Sequence, residues 1–274
     1  MLEPHAMFFY TWSSGIELWD AELRRLMDVA EMSDSSEHKR ISKELADKLL
    51  SSAFLTVGEN LARDLRLSSS LRQFKRIKEA LNGVDAKPYP LRPAALRVML
   101  TELGTRVSEE LEDRLFLFVL PENAALYRLP LEGWGETRKK FPSASYDVEE
   151  AGRCIALERS TAAVFHLMRA LEFGLVALGK TLGIAEEQLS GQNWDRIIVA
   201  IEAAIRKVQL GERHEQKSAD THFYSLAATQ FAFFKDAWRN YVSHAGVSYN
   251  TEQAVGIHRS VRDFMRQIAT RLTE

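Results

Sequence analysis

All seven prolines of this chain lie at or before Pro142, and the stretch from Ser143 to Glu274 has none. Proline removes a backbone donor and clashes with the turn before it, so its absence leaves long helices free to run. Apolar residues there recur every three or four positions, the pattern of helices that bury one face. The spacing predicts helices over 146–182, with a possible break at Ser160 and Thr161, then over 194–208, 221–245 and 251–272. Val164, Phe165, Met168, Leu171, Leu175 and Leu178 form the inward stripe of the first. Short polar turns between such helices predict an antiparallel, up-and-down bundle.

The first half is also helical in pattern but more often interrupted. Helices are expected over 15–30, 37–67 and 71–81, with a cap at Ser33–Ser36 between the first two. Pro88, Pro90 and Pro93 enforce a break, and Pro93 suits the first turn of a fourth helix running to Leu115. FLFVL, residues 116–120, reads equally as a short strand or a buried helix end. Residues 121–142 hold Pro121, Pro130, Gly133, Gly135 and Pro142 and are expected to be irregular. The expectation is therefore an all-α chain, with an N-terminal helical domain at 1–135 and a helical bundle at 143–274.

Composition narrows the function classes. With 46% hydrophobic and 27% charged residues the chain is globular, and a net charge of -2 supplies no broad basic field for nucleic acid. Any RNA chemistry has to come from a local pocket. The single cysteine, Cys154, cannot form an internal disulfide, which fits a reducing compartment. The N-terminus lacks a basic segment followed by an apolar core, and no run of apolar residues is long enough to span a bilayer. A soluble cytoplasmic protein without a membrane partner is expected.

The phosphate-cradle motifs, the GxSxG elbow, HExxH, CxxC and the EF-hand loop are all missing, so neither a cofactor nor a metal is signalled. The acidic run Glu109, Glu110, Glu112 and Asp113 reads as a solvated face, as do Arg72, Lys75, Arg76 and Lys78. The stretch FAFFKDAWRNYVSHAGVSY, residues 231–249, is different. On a helical wheel with Arg239 at zero, Ser243, Asp236, Asn240 and His244 fall at roughly 40°, 60°, 100° and 140°. Phe231, Phe234, Trp238, Tyr241, Val242 and Ala245 gather between about 200° and 300°, and Phe233 alone falls among the polar residues. Short, exacting polar residues occupy the face where lysine and glutamate are usual.

Arginine and histidine together suit phosphodiester cleavage. An imidazole near neutrality can take a proton from a ribose 2′-OH or give one to the leaving 5′-oxygen. A guanidinium can clamp the phosphate as charge grows on it, and Asn240 can orient the imidazole or a phosphate oxygen. The structural alternative has Arg239 paired with Asp236 and His244 capping a helix C-terminus, where a cation is favoured. A second polar strip on 146–182 holds Glu158, Arg159, His166, Arg169 and Glu172. His166 and Arg169, with Arg159 and Ser243, are candidate substrate-binding residues; alternatively His166 and Arg169 form salt bridges with Glu172 that fix packing.

The arrangement Arg239-Asn240-x-x-x-His244 on a late helix resembles the signature of the HEPN superfamily. So do the segments AGRCIALERSTAAVFHLMRALEFGL (151–175), KDAWRNYVSH (235–244) and VRDFMRQIATRL (261–272), which are similar to a group of uncharacterised bacterial HEPN-like proteins. The resemblance implies a HEPN-like bundle that pairs as a homodimer. Two Arg/His sets would then form one metal-independent endoribonuclease site, with RNA as substrate and an antitoxin or defence-system protein as partner. Arg239, Asn240 and His244 would be catalytic, and attack by the 2′-OH would leave a 2′,3′-cyclic phosphate. Gly246 stands where nucleotidyltransferase-paired toxins often carry tyrosine, so that mode of control is not carried over. The other reading is a non-catalytic HEPN-like module that binds a protein partner or a nucleotide.

Overall fold

The computed structural model describes residues 6–32, 40–84, 91–210, 217–244 and 246–274. The expected cap at Ser33–Ser36, Pro88 and Pro90, the first part of the loop expected at 211–220, and Ala245 lie outside these residues. The described residues are helical with no strand, so the chain is all-α. It divides into two compact units, Met1–Phe116 and Leu117–Glu274.

The first unit holds α1 (Ala6–Met32), α2 (Lys43–Leu50), α3 (Ala53–Asp64), α4 (Ser68–Asn82) and α5 (Pro93–Glu112). The helix expected over 37–67 is two, because the Ser42 and Ser52 side chains each accept from a backbone N–H of the next turn. Such caps begin new helices rather than continue old ones. Leu23, Phe54, Phe74, Ile77, Leu100 and Leu103 lie at the centre of the core. Each buried side chain of this size contributes roughly 1.5–3 kcal/mol. Pro93 opens α5 as expected. Glu110 departs from the solvated face assigned to it. Its carboxylate accepts from the Ser69 and Ser70 amides at 2.9 and 2.8 Å and from the Ser70 hydroxyl at 2.7 Å, capping α4 from a neighbouring helix. Burial pushes this carboxyl up, but the serine donors outweigh that, and its pKa falls below the ordinary value.

Helix α5 stops at Glu112, so Leu115 is 96% exposed instead of lying on the inward stripe. FLFVL is neither a strand nor a helix end; Phe116, Leu117 and Phe118 are exposed and carry no regular structure. The units meet at 116/117, earlier than the boundary expected within 121–142. That stretch packs with the second unit, where Trp134 and Phe141 are buried in the core.

The second unit holds α6 (Ala124–Arg128), α7 (Gly135–Lys140), α8 (Ser145–Ala156), α9 (Ser160–Thr181), α10 (Trp194–Leu210) and α11 (Lys217–Phe234). A π-helical turn at Lys235–Arg239, the three-residue α12 (Asn240–Val242) and α13 (Thr251–Ile268) complete it. The helix expected over 146–182 is broken at residues 157–159. There Glu158 adopts a left-handed φ of 58° and the Arg159 amide reaches back to the Cys154 carbonyl at 2.7 Å. This is a helix-ending turn with a non-glycine residue in the glycine position. Gly152 lets α8 approach the preceding segment, since a Cβ there would sit 2.9 Å from Pro130 and 3.0 Å from the Leu126 carbonyl oxygen.

Helix α9 is the axis of this unit. Its apolar 18-residue window meets the length and composition for crossing a bilayer, yet 61% of it is buried against the other helices. Ser160 meets Thr251 at one end, and Gly174 lies against Ile268 and Met265 further along, so α9 and α13 run in the same direction. Strict alternation of four helices is therefore not what forms, since a reversal at each connection after α9 would leave α13 antiparallel to it.

Candidate functional site

The stretch expected as one helix over 221–245 is interrupted at the residues of interest. Phe231 and Phe234 are buried as the wheel predicts, and Trp238 packs on Phe234 at 5.3 Å and Phe233 at 5.5 Å. The wider π turn then inserts about one residue, rotating the positions C-terminal to it by roughly 100° from the earlier stripe. Tyr241, expected inward, is consequently 53% exposed. Phe233 is exposed as expected.

The polar residues stay near one another but pair locally. The Arg239 guanidinium donates to the Ser243 hydroxyl, which donates to the Arg239 carbonyl oxygen at 2.9 Å. Asn240 reaches Asp236 at 3.5 Å, and Asp236 pairs with Lys235 at 3.1 Å. Arg239 is thus not paired with Asp236, and it has no carboxylate partner among the described residues. His244 lies just beyond α12, with its amide bonded to the Tyr241 carbonyl at 3.1 Å and its ring exposed. The Arg239 side is half-buried and the Asn240, Ser243 and His244 side open.

Two contacts pin this segment against α9. At one end Lys235, whose ammonium stays charged through its pairing with Asp195 and Asp236, bonds Asp195; the adjacent Trp194 indole donates to Glu172 of α9 at 3.1 Å. At the other end the Tyr249 amide donates to the Thr161 hydroxyl at 3.0 Å. The stretch of α9 between those anchors carries His166 and Arg169.

His166 and Arg169 do not pair with Glu172. Both turn to Asp147 of α8, His166 Nδ1 at 2.8 Å and Arg169 Nε at 3.3 Å from the same carboxylate oxygen. The Asp147 side chain is 2% exposed, that of His166 18% and that of Arg169 51%. The rings of Tyr146 and Phe165 stand edge-on to His166. Asp147 and Arg169 also line a 580 Å³ cleft that runs over Phe173 and Val176 of α9 towards Lys180. Sequence reading missed Asp147. In YDVEE it looks like an ordinary acid in the first turn of a helix, where carboxylates are common anyway. Arg159 and Glu158 sit exposed in the turn between α8 and α9, away from this cluster.

Among the described residues no group of three His, Cys, Asp or Glu side chains is placed to hold a metal ion. Comparison of the chain with family models, with curated proteins and with solved structures found no match.

Proposed function

We propose that the C-terminal unit is an endoribonuclease of HEPN type that needs no metal and cleaves RNA by attack of the 2′-OH on the adjacent phosphate. The observation that carries this reading is the open turn at 239–244, where Arg239 is steadied by Ser243 instead of neutralised by a carboxylate, next to an exposed His244. Arg239 would hold the phosphate, His244 would act as acid or base, and Asn240 would position one of them. A homodimer and an antitoxin or defence-system partner belong to the same proposal. The test is cleavage of single-stranded RNA in EDTA, with the product analysed for a 2′,3′-cyclic phosphate. His244→Ala and Arg239→Ala should each remove cleavage while the circular-dichroism spectrum stays helical; unchanged cleavage in both would defeat the reading.

One observation favours a second reading. Phe233 and Tyr241 are both more than half exposed beside the polar turn, as at a protein-binding surface. A non-catalytic module would use the turn for docking, and Tyr241→Ala would then abolish partner binding in a protein that never cleaves RNA.

A further inference from the structure

Three buried polar atoms of the second unit have no hydrogen-bond partner among the described residues: Trp134 Nε1, Thr137 Oγ1 and His258 Nε2. The most open of the three residues, His258, is only 7% exposed, so bulk solvent does not serve them. Native interiors seldom leave such groups bare, because each one then keeps the whole cost of its desolvation. We propose that these three atoms hold one ordered water molecule, which joins α7 to α13 as a structural part of the unit. This holds whether or not the protein cleaves RNA.

Position brings the three together. Trp134 directly precedes α7, and Thr137 lies three residues further on. Side chains at that spacing stand on one side of a helical turn, roughly 5–6 Å apart at Cβ. The His258 ring meets the Trp134 ring edge-on, with 5.4 Å between their centres. Two atoms bonded to the same water sit roughly 4–6 Å from each other, so one molecule can reach all three. The same two helices are clasped just outside. Arg266 donates to the Gly133 carbonyl oxygen at 3.1 Å, and Arg262 lies 3.6–3.7 Å from where a Gly133 Cβ would stand.

The donor set selects water over an ion. An indole N–H only donates, a hydroxyl does either, and a neutral imidazole nitrogen accepts or donates according to its tautomer. Burial and the Arg262 charge keep His258 neutral at pH 7. A metal cation would find no lone pair on the indole nitrogen. A halide would have to shed its hydration, and the nearby Arg262 is already offset by Asp263 at 3.4 Å. Water accepts from Trp134 and bonds Thr137 and His258 as well, reaching three bonds, the usual number for a buried water. The edge-on ring contact replaces little of such a bond.

The experiment is Thr137→Val in the full chain, which deletes the hydroxyl at nearly unchanged shape and helix propensity. Removing a bare buried hydroxyl stabilises a protein, whereas removing one that holds a water leaves its partners short of a bond and destabilises it. The urea midpoint of the second unit should therefore fall by about 0.5 M. A crystal structure of the unaltered protein should show a density peak bonded to all three atoms, and crystals soaked in bromide should show no anomalous signal there. A midpoint raised by Thr137→Val overturns the inference. So does a crystal structure in which the three atoms bond to protein groups, and an anomalous bromide peak would put a halide in place of the water.

Discussion

Arg239 and Ser243 form a closed pair one helical turn apart: the guanidinium donates to the hydroxyl, and the hydroxyl donates to the Arg239 carbonyl at 2.9 Å. The loop of bonds fixes a long side chain that would otherwise sample many rotamers, so in the proposed ribonuclease the phosphate clamp would be set before substrate arrives. Ser243→Ala should lower kcat/KM on RNA about tenfold through the freed arginine. The melting temperature should hardly move, because Ser243 is exposed. Single-turnover assays beside a thermal melt check both.

His258 makes the second unit acid-sensitive. Burial, assisted by the nearby Arg262 charge, pushes its imidazole down to about 4 from an ordinary 6.5. The folded state therefore binds the proton less well than the unfolded chain. The stabilisation is complete above pH 6.5 and is lost as pH falls from there through about 4. The whole effect is up to about 3 kcal/mol. The urea midpoint, followed through tryptophan fluorescence, should fall across that window, and His258→Phe should flatten this part of the curve.

The first unit depends on acid differently. Glu110 caps α4 as a carboxylate with a depressed pKa, so its contribution is present above the ordinary glutamate value and is lost as pH falls below it. Glu110→Ala should cost about 1–2 kcal/mol, since it removes a cap and leaves the Ser69 and Ser70 donors to water. Denaturant unfolding at pH 7 measures the loss.

Gly152→Ala should destabilise the second unit by about 1–3 kcal/mol despite the better helix propensity of alanine. The added methyl meets the Pro130 ring and the Leu126 carbonyl oxygen, and backbone cannot swing aside as a side chain can. A calorimetric melt of the variant reads the change directly.

Periodicity made the all-α class and most of the buried stripes legible. Phe74, Ile77, Leu103, Leu171, Ile201 and Val261 are all buried where the helical spacing placed them. Helix ends were less legible wherever a local device overrides the repeat. Ser52 starts a new helix inside an unbroken apolar pattern, and Glu158 ends one in a conformation that favours glycine. The site shows the same division. Arg239, Asn240, Ser243 and His244 stood out because their residue types contradict a solvated face. Asp147 did not, because an acid in the first turn of a helix looks the same whether it faces water or an imidazole and a guanidinium nineteen and twenty-two positions away. The π turn left no mark on the repeat either; it shows only as Tyr241 turning outward.

That wide turn has a mechanical consequence. It places a slip joint between the aromatic anchor formed by Phe231 and Phe234 and the polar tip that ends in His244. Side chains on the tip can be exchanged, or reoriented by a ligand, without levering the anchor out of its seat, so the chemistry of the tip and the stability of the bundle can be altered one at a time.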